Sequence, residues 1–305
     1  MSADGFWSIG ELAERSGVTV KTVRYYSERG LLPEAGRSAG GHRRYGPEAL
    51  DRLRFIRSLR TLDLPVPDVG RVLDDEGALE DVVAGQLREL GSQLAALRWR
   101  EAALRLVRDC APEERAGRLR LVGAVTTPPS TDALARFWRR WLPPRLPARV
   151  VSTVLEQTVP QPPVDPEPGQ VLAFARMHAF VSAPCGGDDR AQPAAHRTSG
   201  GHRPAVLYEG LDEAYALAAP QLRAGRAPRE GEALDCFVAA YARSSGTRDT
   251  PAFRRELGRV LDADPRIDHY WQLAAEVFGP DHTTAGAAHD WLLASLHSQL
   301  DPAAA

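Results

Sequence analysis

The chain has 305 residues, with 38 Lys and Arg against 40 Asp and Glu and 43% hydrophobic residues, enough apolar material for two or three domains. No apolar run approaches the roughly 20 residues of a bilayer span, the polar N-terminus is no signal peptide, and Cys110, Cys185 and Cys236 fit neither a disulfide framework nor a four-thiolate zinc site, so the expected location is cytoplasmic, with no membrane partner. The net charge of −2 hides an asymmetry: residues 1–60 carry +4, residues 61–110 carry −4 and the remainder −2, so the first sixty are where a polyanion would dock.

In chain order, Ser8 followed by Glu11 marks a capping box for a first helix, with Ile9, Leu12 and Ala13 on its apolar face and Gly17 as its stop. Thr19 caps a second helix, Val20 to Arg29, with Val20, Val23 and Tyr26 at helical spacing and Gly30 behind it. Two helices so closely joined read as helix-turn-helix. The glycine-rich, basic stretch from Gly36 to Tyr45 has room for a two-stranded hairpin. Pro47 opens a third helix whose Leu50, Leu53, Ile56 and Leu59 close the small core, and a short helix follows Pro67.

From about Ala78 to Asp109 the pattern becomes one long helix. Val83, Leu87, Leu90, Leu94, Leu97 and Leu104 fall mostly on a 3–4 alternation, a coiled-coil seam interrupted by Glu101. Beyond Pro112, helical patterns recur around 130–142, 147–159, 168–181, 210–224, 230–245, 251–263, 265–278 and 284–300, with Pro- and Gly-rich loops at 160–169 and 184–204. The fold class is therefore mainly α: a helix-turn-helix module with its hairpin over 1–75, a coiled-coil helix over 76–110 and an all-α region over 111–305.

The residues that carry chemistry cluster near the N-terminus. Thr19, Lys21 and Thr22 open the second helix, where a recognition helix meets base edges. Arg24 and Tyr25 follow, and Arg43, Arg44 and Tyr45 repeat the same chemistry on the hairpin. Guanidinium forks and phenol hydroxyls suit phosphate oxygens. A hairpin beside such a motif acts as a wing.

These residues resemble the MerR family of transcription regulators: Ser8 through Ala13, then Val18 through Pro33, then His42-Arg43-Arg44-Tyr45, with Arg52 through Ile56 of the third helix. The resemblance covers about residues 6–109. It implies a winged helix-turn-helix that dimerises through an antiparallel coiled coil, binds a palindromic operator in double-stranded promoter DNA, and bends and untwists it so that RNA polymerase engages. It also implies that Arg24, Tyr25, Arg43 and Tyr45 hold the DNA backbone while Lys21 and Thr22 read bases. One departure is Asp63-Leu64-Pro65-Val66-Pro67, where the family has Gly-Phe and a serine-led helix. Metal-sensing members begin the long helix with a cysteine, and Asp75-Glu76-Gly77-Ala78 has none, so neither a metal nor a cofactor is expected.

The C-terminal region is rich in aromatic residues without a catalytic arrangement of Ser, His, Cys or paired carboxylates, so no enzyme is expected. The rings most suited to wall a ligand pocket are Trp138, Trp141, Tyr241, Tyr270 and Trp271. Glu209, Asp212, Glu213, Asp235 and Asp268 lie near aromatic residues in sequence and would complement a cation. The last hundred residues distantly resemble the antibiotic-binding domains of TipA-type regulators. The expected function is a homodimeric, operator-binding regulator with a small organic effector; the alternatives are a C-terminal protein-interaction module or a DNA-tethered enzyme.

Overall fold

The structure is a computed structural model that describes residues 5–75, 77–183, 193, 203–264 and 267–300. It divides into two compact units, residues 1–92 and 93–305. Among the described residues it holds fourteen helices and one two-stranded sheet, so the fold is mainly α.

In the first unit, α1 (Ile9–Ser16) starts at Ser8 through a complete capping box. The Glu11 N–H donates to Ser8 Oγ at 3.3 Å and the Ser8 N–H to Glu11 Oε2 at 2.7 Å, satisfying two otherwise orphaned donors. Gly17 ends the helix at φ 67°, a left-handed conformation that costs glycine little. The next helix, α2 (Val20–Glu28), starts at its cap Thr19 and ends one residue earlier than its pattern suggests. Val20, expected on the apolar face, is 41% exposed; the buried stripe begins at Val23 and continues at Tyr26.

The hairpin forms as expected. Strand β1 (Gly36–Arg37) pairs antiparallel with β2 (Arg43–Arg44), Gly36 opposite Arg44 and Arg37 opposite Arg43. Tyr45 then exchanges backbone hydrogen bonds of 2.8 and 2.9 Å with Trp7, which pins the chain ahead of α1 to the base of the hairpin. Helix α3 (Pro47–Arg60) buries Leu50, Leu53, Ile56 and Leu59, and its Arg57 donates to the Ser16 carbonyl at 2.5 Å, tying α3 to the end of α1.

Helix α4 (Val66–Asp74) starts before Pro67 rather than after it. The proline lies in the first turn, where its missing N–H breaks no helical bond. Just upstream, Asp63 is held at φ 58°, at the position where the resemblance leads one to expect glycine. Aspartate tolerates the left-handed region better than most residues, yet at a cost glycine avoids. Asp63→Gly should therefore stabilise the first unit by about 0.5–1 kcal/mol, readable as a rise in the denaturant midpoint.

Helix α5 (Ala78–Arg108) has 31 residues and is about 46 Å long. Val82 joins the core of the first unit, while Trp99, Ala102 and Leu106 join a core of the second. The compact units divide within this helix, between Ser92 and Gln93.

The second unit continues with α6 (Pro112–Gly123), which periodicity did not reveal because none of its residues is fully buried. Its start signals were present: Pro112 in the first turn, followed by Glu113 and Glu114. Then come α7 (Asp132–Trp141), α8 (Ala148–Thr158), α9 (Pro168–Ser182), α10 (Pro204–Arg223), α11 (Glu232–Ser245), α12 (Pro251–Ala263), α13 (Asp268–Phe278) and α14 (Ala285–Leu300). Helix α10 starts six residues before the expected 210, again with a proline in its first turn. The loop expected over 184–204 lies almost wholly outside the described residues.

Two large apolar cores organise this unit, beside a small one of Leu142, Val150 and Val154. One gathers the end of α5 with α7, α9 and α13; the other gathers α10, α11, α12 and α14. Gly210 lets α10 approach α11 closely, since a Cβ there would lie 2.6 Å from the Ala240 Cβ.

Candidate DNA interface and effector cavity

The helix-turn-helix and the hairpin meet at a groove of about 500 Å³. It is lined by Ser8 and Ile9 at the start of α1, Arg24 and Glu28 on α2, and Ser38, His42, Arg43, Arg44 and Tyr45 of the hairpin. Three arginines from two elements thus share one concavity. Lys21, Arg24 and Tyr25 are exposed on α2, and the Arg29 guanidinium lies 4.6 Å from the Tyr25 ring centroid, a cation–π contact that steadies the ring. Thr19 spends its hydroxyl on the helix cap, accepting from the Thr22 N–H at 3.1 Å, and the two threonine hydroxyls lie 2.9 Å apart.

The hairpin residues differ from one another. Arg44 is half-buried, 4.0 Å from Glu11. Arg43 is braced on both sides, its Nε 2.7 Å from Glu34 and its Nη1 donating to Ser27 Oγ at 2.6 Å. Tyr45, expected to reach the DNA backbone, is fully buried and donates its hydroxyl to Ser27 Oγ at 2.8 Å. A ring enclosed by the core cannot also extend to a phosphate, so in this structure Tyr45 fixes the wing against α2. Tyr45→Phe should cost about 1 kcal/mol of stability while leaving the DNA affinity of the folded protein unchanged; a large affinity loss without destabilisation would restore the direct contact.

Within the second unit lies a cavity of about 450 Å³. Four of the five expected rings line it: Trp138 and Trp141 from α7, Tyr241 from α11 and Trp271 from α13. Tyr270 does not. It is fully buried, stacks on Phe137 at 5.8 Å and donates its hydroxyl to the Thr158 carbonyl at 2.5 Å. Neighbouring residues on a helix point about 100° apart, so one of this pair enters the core while the other faces the cavity. Trp271 can lie where it does because residue 286 is glycine: a Cβ there would come within 2.2 Å of its ring.

The lining also includes Tyr208, Tyr215 and His289, which the sequence reading did not single out as site residues. Tyr208, Asp212 and Tyr215 recur at i, i+4 and i+7 along α10, a signal that was present in the sequence. The Tyr215 hydroxyl lies 3.0 Å from His289 Nδ1. Burial raises the hydroxyl pKa of Tyr208, Tyr215 and Tyr241 well above the ordinary value near 10, so all three remain neutral. Of the acidic residues expected near the rings, Glu209, Asp212 and Asp268 reach the lining, joined by Asp264 and Asp290. Glu213 and Asp235 do not, and Asp235 instead pairs with Arg254 at 2.8 Å.

Residues 7–76 match the family described as MerR HTH family regulatory protein. The nodulation protein NolA of Bradyrhizobium sp. (strain NC92) is 39% identical over 89 residues, 29% of this chain and 38% of NolA. The transcriptional activator TipA of Streptomyces coelicolor is 33% identical over 117 residues, 36% of this chain and 46% of TipA. An HTH-type transcriptional regulator of Pseudomonas aeruginosa is 39% identical over 116 residues, 35% of this chain and 88% of that protein. The chain belongs to the MerR family.

It spans only 38% and 46% of the lengths of NolA and TipA. On the long helix of this MerR regulator, Val83 is half-buried while Leu87, Leu90, Leu94, Leu97 and Leu104 are all exposed. They leave an apolar row uncovered, and Glu101, the polar interruption, pairs with Arg105 at 2.6 Å. Among the described residues no three His, Cys, Asp or Glu side chains converge as a metal ion requires. His282 stacks on Phe278 at 3.9 Å and His297 lies 3.2 Å from Asp262. No described helix is long and apolar enough to cross a membrane.

Proposed function

We propose that this MerR regulator acts in the cytoplasm as a homodimer on a palindromic promoter operator and answers to a small organic molecule bound in the second unit. Two copies pair antiparallel through the leucine row of α5, each carrying one head to a half-site. Lys21 and Thr22 read bases, Arg24 and Tyr25 hold the backbone with Arg43 and Arg44, and RNA polymerase reads the outcome. No catalytic step, metal or cofactor enters this reading.

The observation that carries the sensing role is the 450 Å³ cavity walled by Trp138, Trp141, Tyr241 and Trp271. Cavities of roughly 300–1,000 Å³ with apolar walls and a few polar groups are how proteins hold drug-like molecules. Such a ligand acts only if it binds one regulatory state more tightly than the other. Because α5 gives side chains to the core of each unit, it is the element through which that preference would pass to the DNA-reading heads.

The test is a compound screen on the full-length protein. A true effector at 100 times its Kd adds about 2.7 kcal/mol of stability, raises Tm, loses that effect in Trp271→Ala and changes transcription from the operator. Compounds that stabilise the wild type and Trp271→Ala equally, or that raise Tm without altering transcription, would contradict the proposal.

A further inference from the structure

We infer that the second unit carries a DNA-contacting face of its own, formed by α7 and the segment after it, which grips the phosphate backbone beside the operator. This goes beyond the effector reading and rests on the first unit bringing the chain to duplex DNA.

Residues 133–155 hold five arginines, Arg136, Arg139, Arg140, Arg145 and Arg149, and no Asp or Glu. With 40 Asp and Glu in 305 residues, about three would be expected in such a stretch. Arg149 is paired with Glu209, but Arg136, Arg139 and Arg145 are exposed and make no ion pair among the described residues. By contrast, α3, α4, α5, α6 and α12 each pair an arginine with a carboxylate three or four residues away. Helix α7 departs from that pattern. Its apolar face is committed to the core through Leu134, Phe137, Trp138 and Trp141, and three of its four exposed residues are arginines.

Like charges three and four residues apart repel, and the helix dipole offsets that only in the last turn, at Arg139 and Arg140. Arg145 adds a second cost. It sits at φ 68°, a left-handed backbone that glycine or asparagine adopts with less strain. Strain and repulsion held together on exposed surface point to a partner that compensates them. Arginine forks match phosphate oxygens, and duplex DNA offers one negative charge per about 1.7 Å of its axis. Residues 111–305 carry a net charge of −2, so the unit as a whole has no general attraction for DNA, and the arginine face is where the two can meet. Tethering through the helix-turn-helix raises the local concentration of DNA, so a few contacts without sequence preference suffice.

The experiment compares two duplexes on the full-length regulator by fluorescence anisotropy at several salt concentrations. One ends at the edges of the operator; the other carries about 30 further base pairs on each side, roughly 100 Å at about 3.4 Å per pair. The wild type should bind the extended duplex about tenfold tighter or more, with a salt slope steeper by about two, at roughly 0.9 per phosphate engaged. The combined variant Arg136→Gln, Arg139→Gln, Arg145→Asn should bind the minimal duplex as the wild type does and lose most of that gain. Lysine at all three positions should keep most of it, because charge rather than packing makes the contact. Arg24→Ala should weaken both duplexes alike and leave their ratio unchanged. No gain from the flanks in the wild type, or a gain that the neutral variant retains, would overturn the proposal. A neutral variant that keeps the gain yet fails to support transcription would assign the face to an acidic protein surface instead. A wild type that binds neither duplex would overturn the operator reading along with it.

Discussion

Replacing Leu90 and Leu94 together with glutamate is expected to make the regulator monomeric and to abolish operator binding. Leu90 is 49% exposed and Leu94 48% exposed in the single chain, on a helix whose other exposed leucines continue the row. Covering such half-exposed leucines yields roughly 1 kcal/mol each, so five from each of two chains supply about 10 kcal/mol before the cost of association. The double variant removes four of those contacts from the pair and places four carboxylates in an apolar seam, where each unpaired charge costs several kcal/mol. A monomer then has one head and half the phosphate contacts. Because both positions are exposed in the single chain, the fold should survive, and sedimentation with circular dichroism separates dissociation from unfolding. A double variant that remains a dimer would move the interface elsewhere.

Arg24→Ala should reduce operator affinity about ten- to hundredfold for each head, since a charge-assisted bond to phosphate is worth about 1.5–3 kcal/mol. With two heads per operator, the slope of log K against log salt should fall by about two, at roughly 0.9 per phosphate contact. The loss should be the same for operator and unrelated DNA, because phosphates carry no sequence. Arg24 is the clean probe because it is exposed and makes no ion pair among the described residues. Arg43→Ala would also release Glu34 and Ser27, mixing stability with affinity. Unchanged binding and salt slope in a folded Arg24→Ala protein would remove α2 from the DNA face.

The sequence made the first unit legible because its signals are local. Ser8 with Glu11, Gly17, Thr19 and Pro47 each mark a boundary within a few residues, and the leucine spacing of α3 and α5 declares which faces are apolar. Its errors came from tertiary contacts. Nothing in the spacing of Arg43-Arg44-Tyr45 says that the tyrosine turns inward to Ser27; that follows from strand alternation once Trp7 is known to bridge it. The division of α5 between two cores was equally invisible, since Trp99 and Leu106 belong to a stripe separate from the exposed leucines. In the second unit the aromatic residues pointed to a pocket, but assigning each ring needed the packing. Tyr270 and Trp271 are adjacent in sequence and point to different surroundings. The polar helix α6 has no buried stripe for periodicity to detect.

In the proposed assembly, two copies of this chain, joined through α5, read one operator. Analytical ultracentrifugation gives the mass of the complex formed with a duplex that the protein selects from a random pool. Two chains per duplex are expected, on a palindromic sequence whose half-sites repeat by whole turns of the helix, with the Leu90→Glu, Leu94→Glu protein failing to form that complex. One chain per duplex on a site without two-fold symmetry, retained by the double variant, would contradict it.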